Sequence, residues 1–375
     1  MNDINSELEF ASIQMNLEYI APTNDANAVT SCIDIANRYI KTLENSIQNI
    51  PYKTYISNMV KVKLYSAKEY IIQKDYYNSE TCLNYIFQLC NDPAKLNILS
   101  LHSSLAKAQE HMGEIYVEKK EVHLAIESYK KAVENYQIAE VLQPFWDSDF
   151  YLNLGLIHKR LAEEYFKLSI EDLEHNETFI HNALEHLDIA LSKYTQVKER
   201  VPELIDTYCK TGFAYIAAAD QLWKDNRWNR QVEQYLRDAT NTLDQALEQI
   251  SMNSGEQSNG NRQIANSRCI ISRINALYHE RIGNYIDAER FFEQTLQDGK
   301  YAIQTAPNHP YGYMEAANGY LTYSSFLINQ NQKEKAKEMI LHGLRMIADA
   351  DSFIDNTTGF IDIRHSLELN LQKCE

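Results

Sequence analysis

One small pattern recurs five times along this chain of 375 residues. An internal repeat of this kind decides the architecture of a chain before any other signal. Each copy has an alanine, a bulky side chain four residues later, and a small or short one three residues after that. The alanines are Ala125, Ala183, Ala239, Ala288 and Ala336; the bulky residues are Tyr129, Leu187, Leu243, Phe292 and Ile340; the third members are Ala132, Ala190, Ala246, Thr295 and Gly343. A weaker copy has Ser79, Leu83 and Ile86, so the sequence predicts six units.

Each copy lies on an apolar stripe of helical period and follows a second stripe with its own signature. This signature is a small residue with a large one three residues later. The pairs are Ala67 with Tyr70, Gly113 with Tyr116, Ala162 with Tyr165, Gly212 with Tyr215, Ala276 with His279, and Ser324 with Leu327. Small residues let two helix axes approach closely, and the large residue fills the space beside the contact. Each unit is therefore predicted to be a hairpin of two antiparallel helices.

A helix-breaking signal precedes each of the six predicted units. A proline precedes the first helix of five hairpins, where proline is tolerated: Pro51, Pro93, Pro144, Pro202 and Pro310. A polar Gly/Ser/Asn run precedes the remaining hairpin and predicts a loop at 250–262. Within an array of residues 51–349 we expect hairpins at about 53–90, 93–142, 147–198, 201–249, 263–305 and 309–349. We expect a flexible arm at 1–24, a leading helix at 25–50 and a C-terminal capping helix at 350–375.

Two of these units carry a family resemblance. Gly113-Glu-Ile-Tyr116 followed by Ala125-Ile-Glu-Ser-Tyr129 resembles a tetratricopeptide repeat (TPR), and so does the segment from Gly283 to Phe292. In four units the small residues of the two helices are 12 positions apart, as the family pattern requires. The resemblance covers about residues 53–349. It implies an all-α, right-handed superhelical solenoid of about six antiparallel hairpins with capping helices at both ends.

The two middle units depart from that pattern. Their small residues are 21 positions apart in the third unit and 27 in the fourth, so their hairpins are predicted to be elongated by roughly 7 and 11 Å. The elongated arms are at about 163–188, which is acidic, and at about 215–237. The second arm holds Trp223, Arg227 and Trp228, residue types that binding hot spots favour. Two interpretations stay open: the arms bind a partner, or they pack against each other.

Composition excludes several classes of function. A formal net charge of −16 argues against a general nucleic-acid binder, which needs a basic surface. The six cysteines are scattered without a C-x-x-C pair, which favours free thiols in a reducing cytoplasm. No apolar stretch is long enough for a membrane span. Phosphate-loop, nucleophile-elbow, kinase and HExxH motifs are absent, so we predict no enzyme and no catalytic, cofactor or metal site. Homo-oligomerisation is left open.

The resemblance also implies a concave groove lined by the first helix of each hairpin. The predicted partner-binding residues there are Lys68, Glu110, Glu114, Lys159, Phe166, Phe213, Ile216, Arg273 and Leu277. Glu110 and Glu114 argue against the Lys/Asn/Arg clamp with which some members of the family hold a C-terminal carboxylate. The centre around Phe166, Phe213 and Ile216 is apolar and suits an amphipathic helix of a partner, unless the protein's own chain covers it.

The function predicted from these features is a protein–protein interaction scaffold, an adaptor or chaperone-like protein, that binds a peptide or helix of another protein. A basic or apolar segment of the partner would fit this groove. The alternative is a peptide-sensing regulatory protein whose superhelix changes when ligand binds.

Overall fold

A computed structural model describes residues 36–38, 40–41, 43–44, 52–90, 99–142, 147–172, 174–224, 226–252, 257–350 and 358–374. Within these ranges the regular secondary structure is entirely helical. The chain divides into two compact units, residues 1–190 and 191–375. The N-terminal arm predicted at 1–24 lies outside the described residues. The described part of the leading helix, within 36–44, is helical and buries Ala36 and Leu43 in the core of the first unit.

The first unit is built from consecutive helices. They are α1 (Tyr52–Ile72), α2 (Tyr76–Cys90), α3 (Leu99–Glu118), α4 (Val122–Leu142), α5 (Ser148–Glu171) and the first part of α6 (Asn176–Arg200). Helix α1 packs against α2 and α3 against α4, so each forms a hairpin, and α1 also packs against α3. The first helices of neighbouring hairpins therefore lie side by side.

The second unit continues in the same way. After the end of α6 come α7 (Ile205–Leu222), a short 3₁₀ helix η1 (Asn226–Trp228), α8 (Asn229–Met252), α9 (Gln257–Arg281), α10 (Tyr285–Thr305), α11 (Pro310–Asn329), α12 (Lys333–Ala350) and α13 (Thr358–Cys374). The hairpins are α7 with α8, α9 with α10, and α11 with α12. The first helices α7, α9 and α11 pack in sequence, α9 against each of the other two.

The repeated small residues lie at the crossings of the two helices in a hairpin. A Cβ atom added to Gly113 would stand 2.4 Å from the ring of Tyr129, and one added to Gly212 would stand 2.9 Å from Leu243. In the first hairpin the hydroxyl of Ser79 donates a hydrogen bond of 2.9 Å to the carbonyl oxygen of Ala67. The predicted pairing of first-helix and second-helix positions is therefore present in the fourth hairpin, across its long interval, as well as in the second.

One backbone turn closes each of the four hairpins that have the 12-residue interval. The residue seven positions after the first small residue has a positive φ, between 58° and 78°: Lys74, Lys120, Gly283 and Asn331. The next residue donates its backbone N–H to the carbonyl of the large signature residue at 2.8–2.9 Å, as in Asp75 to Tyr70 and Glu121 to Tyr116. This is the Schellman pattern of a helix end. Because the turn has a fixed length, it fixes the interval of 12.

The third and fourth hairpins close with other turns, and their helices extend further beyond the crossing. Helix α5 ends nine residues beyond Ala162 and α7 ends ten beyond Gly212, whereas α3 ends five beyond Gly113. In the third hairpin the carboxylate of Asp172 accepts hydrogen bonds from the backbone N–H groups of Glu174 and His175. In the fourth hairpin η1 connects the two helices. The turn held by the Asp172 carboxylate and the 3₁₀ helix η1 thus connect longer arms than the common turn does.

Two boundaries differ from the sequence prediction. The loop predicted at 250–262 is too long, because α8 reaches Met252 and α9 already begins at Gln257. A Cβ atom at Gly260 would stand 3.1 Å from Ile205 and 3.2 Å from Ile250, so this glycine allows a close approach within a helix. Helix α7 begins at Ile205, four residues after the predicted start at 201. Tertiary packing overrides the weak helix propensity of the Gly/Ser/Asn run.

The C-terminal helix α13 covers the last hairpin of the second unit. Its Phe360, Ile363 and Leu367 share one apolar cluster with Ile340 and Ile347 of α12. The amide of Asn370 donates a hydrogen bond of 2.9 Å to the hydroxyl of Ser325 in α11. This polar contact adds a directional bond to the apolar packing of the helix.

Replacing Gly113 by alanine tests the close approach of α3 and α4. Glycine to alanine inside a helix normally stabilises by about 0.5–1 kcal/mol. Here the new methyl group meets the Tyr129 ring, so we expect a loss of about 1–3 kcal/mol in the free energy of unfolding, measured by urea titration. Glu134→Ala, an exposed change on the same hairpin, should stay within about 0.5 kcal/mol. A stabilised Gly113→Ala variant would contradict this crossing.

Two leucines of α13 test its attachment. Leu367 is fully buried, whereas Leu369 is 44% exposed on the same helix. Leu367→Ala should lower the free energy of unfolding by about 2–5 kcal/mol, because it removes buried methyl groups and leaves a cavity. Leu369→Ala should change it by less than about 0.5 kcal/mol. Equal midpoints of urea unfolding for the two variants would mean that α13 is not packed as described.

Candidate functional site

A cleft of about 420 Å³ with both charged and apolar lining residues opens in the first unit. Most of its walls come from α1, α3 and α5, the first helices of three successive hairpins, and one residue comes from α4. The lining residues are Lys68, Ile71, Ile72, His111, Glu114, Val117, Glu118, Tyr129, Arg160, Glu163, Glu164 and Lys167. The volume falls in the usual range for ligand pockets, roughly 300–1,000 Å³. Two of the predicted partner-binding residues, Lys68 and Glu114, are in this wall.

An ion-pair network between α3 and α5, called the floor below, contributes Glu114 and Arg160 to the lining of the cleft. Glu110 and Glu114 are four residues apart and so share one face of α3. Arg160 of α5 contacts both, through Nη1 to Glu110 Oε1 at 3.1 Å and through Nη2 to Glu114 Oε1 at 2.5 Å. Lys107 contacts the other oxygen of Glu110 at 2.8 Å. Glu110 is 1% exposed, so its charge is held inside the protein by two cations.

Glu114 is an ionised carboxylate within this network. Burial alone would raise its pKa, but a hydrogen bond from His111 at 2.7 Å and the charge of Arg160 outweigh it and lower the pKa to about 2. The same two carboxylates raise the pKa of Arg160, although burial opposes this. Positive and negative charges on the floor are therefore matched to each other.

Glu164 in the wall is in a different situation. Glu164 is 3% exposed. Of its two carboxylate oxygens, Oε1 accepts a hydrogen bond of 2.6 Å from the ammonium group of Lys167. Its Oε2 is buried and has no hydrogen-bond partner among the described residues. Burial raises the pKa of this carboxyl, and Lys167 offsets the effect only in part. The wall thus contains one acceptor that the protein leaves unmatched.

The remaining wall is partly apolar. Ile72, at the end of α1, is 53% exposed, while Tyr129, the lining residue from α4, is almost fully buried. Lys159 has its ammonium group 2.5 Å from Glu163. The predicted site residue Lys159 is therefore engaged within its own helix and does not line the cleft.

The predicted apolar centre of the groove is largely internal. Phe166 belongs to the first unit and is 2% exposed; Ile216 belongs to the second and is 5% exposed. Phe213 is half-buried on α7. Phe166 and Ile216 have little side-chain surface left for a partner, because both are among the buried residues that face the core from their helices.

In the second unit the predicted residues Arg273 and Leu277 lie on α9. Arg273 is 3.8 Å from the carboxylate of Glu315 on α11, whose pKa is raised by burial. Leu277 packs against the core cluster that contains Phe292. These two side chains therefore connect neighbouring first helices within the unit.

The three residues predicted on the fourth arm surround its turn. Trp223 follows the end of α7, and Arg227 and Trp228 are in η1. Both tryptophans are half-buried and Arg227 is exposed. The ammonium group of Lys224 lies 5.5 Å above the Trp223 ring, a cation–π contact.

Sequence reasoning missed Arg160 and the cleft. The wall residues Arg160, Glu164 and Lys167 were not predicted as site residues, and the pairing of Arg160 with Glu110 joins positions 50 residues apart. A hint was present: two glutamates on one face of α3 require cations on the facing helix, and α5 offers adjacent lysine and arginine at 159 and 160.

The solved structures that this chain is similar to match it at low sequence identity and with TM-scores under 0.5. No family model and no curated protein matches the chain. Among solved structures it is similar to BtubC from P. vanneervenii, at 13% identity and a TM-score of 0.41, over 80% of this chain and 94% of that one. It is also similar to a thermophilic TPR protein of Thermus thermophilus, at 15% identity and a TM-score of 0.35, over 71% and 99%. A TPR protein of Parabacteroides merdae is 14% identical, with a TM-score of 0.34, over 83% and 99%.

None of the helices in the described ranges combines the length and apolar composition that crossing a membrane requires. Among the same residues, no group of three or more His, Cys, Asp or Glu side chains is placed to hold a metal ion. The helix pairs, their small-residue crossings and their turns form antiparallel α-helical hairpins, as the resemblance to tetratricopeptide repeats implies, and the third and fourth hairpins are elongated beyond their crossings.

The network predicts a pH dependence of stability. Since the folded pKa of Glu114 is lowered from 4.5 to about 2, its ionised form stabilises the fold above the ordinary value, and that stabilisation is lost as the pH falls towards 2. Wild type should therefore exceed Glu114→Gln in free energy of unfolding near neutral pH, by a margin that shrinks between about pH 5 and pH 2. Urea titrations at several pH values measure it. The exposed Glu134→Gln serves as control, and a margin independent of pH would contradict the assignment.

Proposed function

We propose that this protein is an interaction scaffold that binds a segment of a partner protein, and that the cleft of α1, α3 and α5 is its contact point in the first unit. The observation that carries the proposal is the cleft itself, formed by the first helices of three successive hairpins. A rigid wall of packed helices supports it, so the surface is preformed and binding costs little ordering.

The chemistry of the cleft suits a peptide rather than a reaction. Its charged groups are mostly paired: Arg160 contacts two glutamates, and Glu163 contacts Lys159 of the same helix. Its rim adds exposed apolar surface at Ile72. Polar floor and apolar rim together are what a side chain with an apolar stem and a polar end requires.

The thiols support a reducing compartment. Within the described part of the chain no disulfide is present, and four cysteines are buried: Cys82, Cys90, Cys209 and Cys269. Burial raises the pKa of Cys209 to about 12, so this thiol is unreactive near neutral pH. We therefore propose a cytoplasmic adaptor or chaperone-like role.

A pair of matched variants tests the proposal. Peptides that bind the purified full chain are first selected from a random display library, and the best one is labelled for fluorescence polarisation. Ile72→Glu places a charge on the exposed rim of the cleft and should weaken binding about tenfold or more, with unchanged helix content by circular dichroism.

Tyr77→Glu is the control, because Tyr77 is 79% exposed on the second helix of the same hairpin and does not line the cleft. It should bind the peptide as wild type does. A library that yields no binder would overturn the scaffold proposal, and equal affinities for the two variants would place binding elsewhere on the chain.

A further inference from the structure

One carboxylate oxygen in the wall of the cleft, Oε2 of Glu164, lacks a hydrogen-bond donor among the described residues, and this suggests what the cleft binds. Arg160 is shared between Glu110 and Glu114, and Lys167 is bonded to Glu164 Oε1. An anionic ligand would have to displace a carboxylate from these cations. Oε2 of Glu164, by contrast, is buried without a hydrogen-bond partner among the described residues. An unsatisfied buried acceptor is unfavourable, and a donor from a ligand would relieve it.

We propose that the cleft receives a lysine or arginine side chain of the partner protein, whose cation donates a hydrogen bond to Oε2 of Glu164. The proposal rests on the scaffold function above and names the partner's chemistry. The stem of such a side chain is a run of methylene groups, which suits the apolar wall at Ile71, Ile72 and Val117. A cation also fits a protein whose formal net charge is −16.

The chain's own first segment does not provide this side chain. Residues 1–35 contain neither lysine nor arginine. They do contain acidic residues, among them Glu7, Glu9 and Asp34, which the unmatched acceptor would repel. A partner molecule is therefore the occupant we infer.

Glu164→Gln tests this inference with little risk to folding. Glutamine keeps the size of the side chain, and the buried carboxyl is disfavoured in its charged form. Display libraries are selected separately on wild type and on Glu164→Gln. We expect wild type to select peptides with a fixed lysine or arginine, and the variant to lose that preference.

The selected peptide is then titrated by fluorescence polarisation against both proteins, as the natural peptide and with norleucine in place of its lysine. Glu164→Gln and norleucine should each weaken binding about tenfold or more, and together no more than either alone, because both remove one contact. Glu134→Gln, an exposed glutamate on α4, is the matched control and should bind as wild type does.

The outcomes separate the two proposals. Selected peptides without a fixed basic position, or affinities that Glu164→Gln leaves unchanged, would overturn the basic side chain while leaving the scaffold intact. Lysine amide that competes as strongly as the peptide would show a small-molecule site and overturn the partner's side chain as occupant. No selected peptide at all would overturn the scaffold function itself.

Discussion

The close approach of the two helices in a hairpin is the constraint on which the rest of the structure depends. At Gly113 the ring of Tyr129 occupies the space that a Cβ atom would take, and Leu243 does the same at Gly212. Such contacts fix the distance and the rotation of each pair of helices. Once those are fixed, the first helices of successive hairpins present defined faces to each other, and the cleft of the first unit is a product of that placement.

The crossings and the elongated middle hairpins could be predicted from the sequence, because both depend on residues close together along the chain. Small residues at a fixed interval report a local contact, and a longer interval reports helices that extend further beyond their crossing. The turns were harder to predict. Lys74 and Lys120 occupy left-handed positions where glycine is the usual signal, and only Gly283 carries that signal.

The site was less accessible to sequence reasoning, for a different physical reason. Helical spacing placed Glu110 and Glu114 on one face, but Arg160, the cation that contacts both of them, is 50 residues from Glu110 along the chain. Spacing also assigned Phe166 to a groove, whereas the fold buries it. The periodicity of one helix says which residues share a face, and only the packing of several helices says which faces remain open. The helical start at Gln257, ahead of Gly260, depends in the same way on side chains of other helices.

The left-handed turns have a consequence for how the hairpins share stability. A residue with a side chain in this conformation costs roughly 1–2 kcal/mol, so Lys74 and Lys120 together cost the first unit about 2–4 kcal/mol. That is a sizeable part of the roughly 5–15 kcal/mol by which a typical domain is stable. A single hairpin cut from its neighbours would bear this cost with only one crossing to oppose it. The left-handed turn residues therefore favour folding of several hairpins together over folding of each hairpin alone.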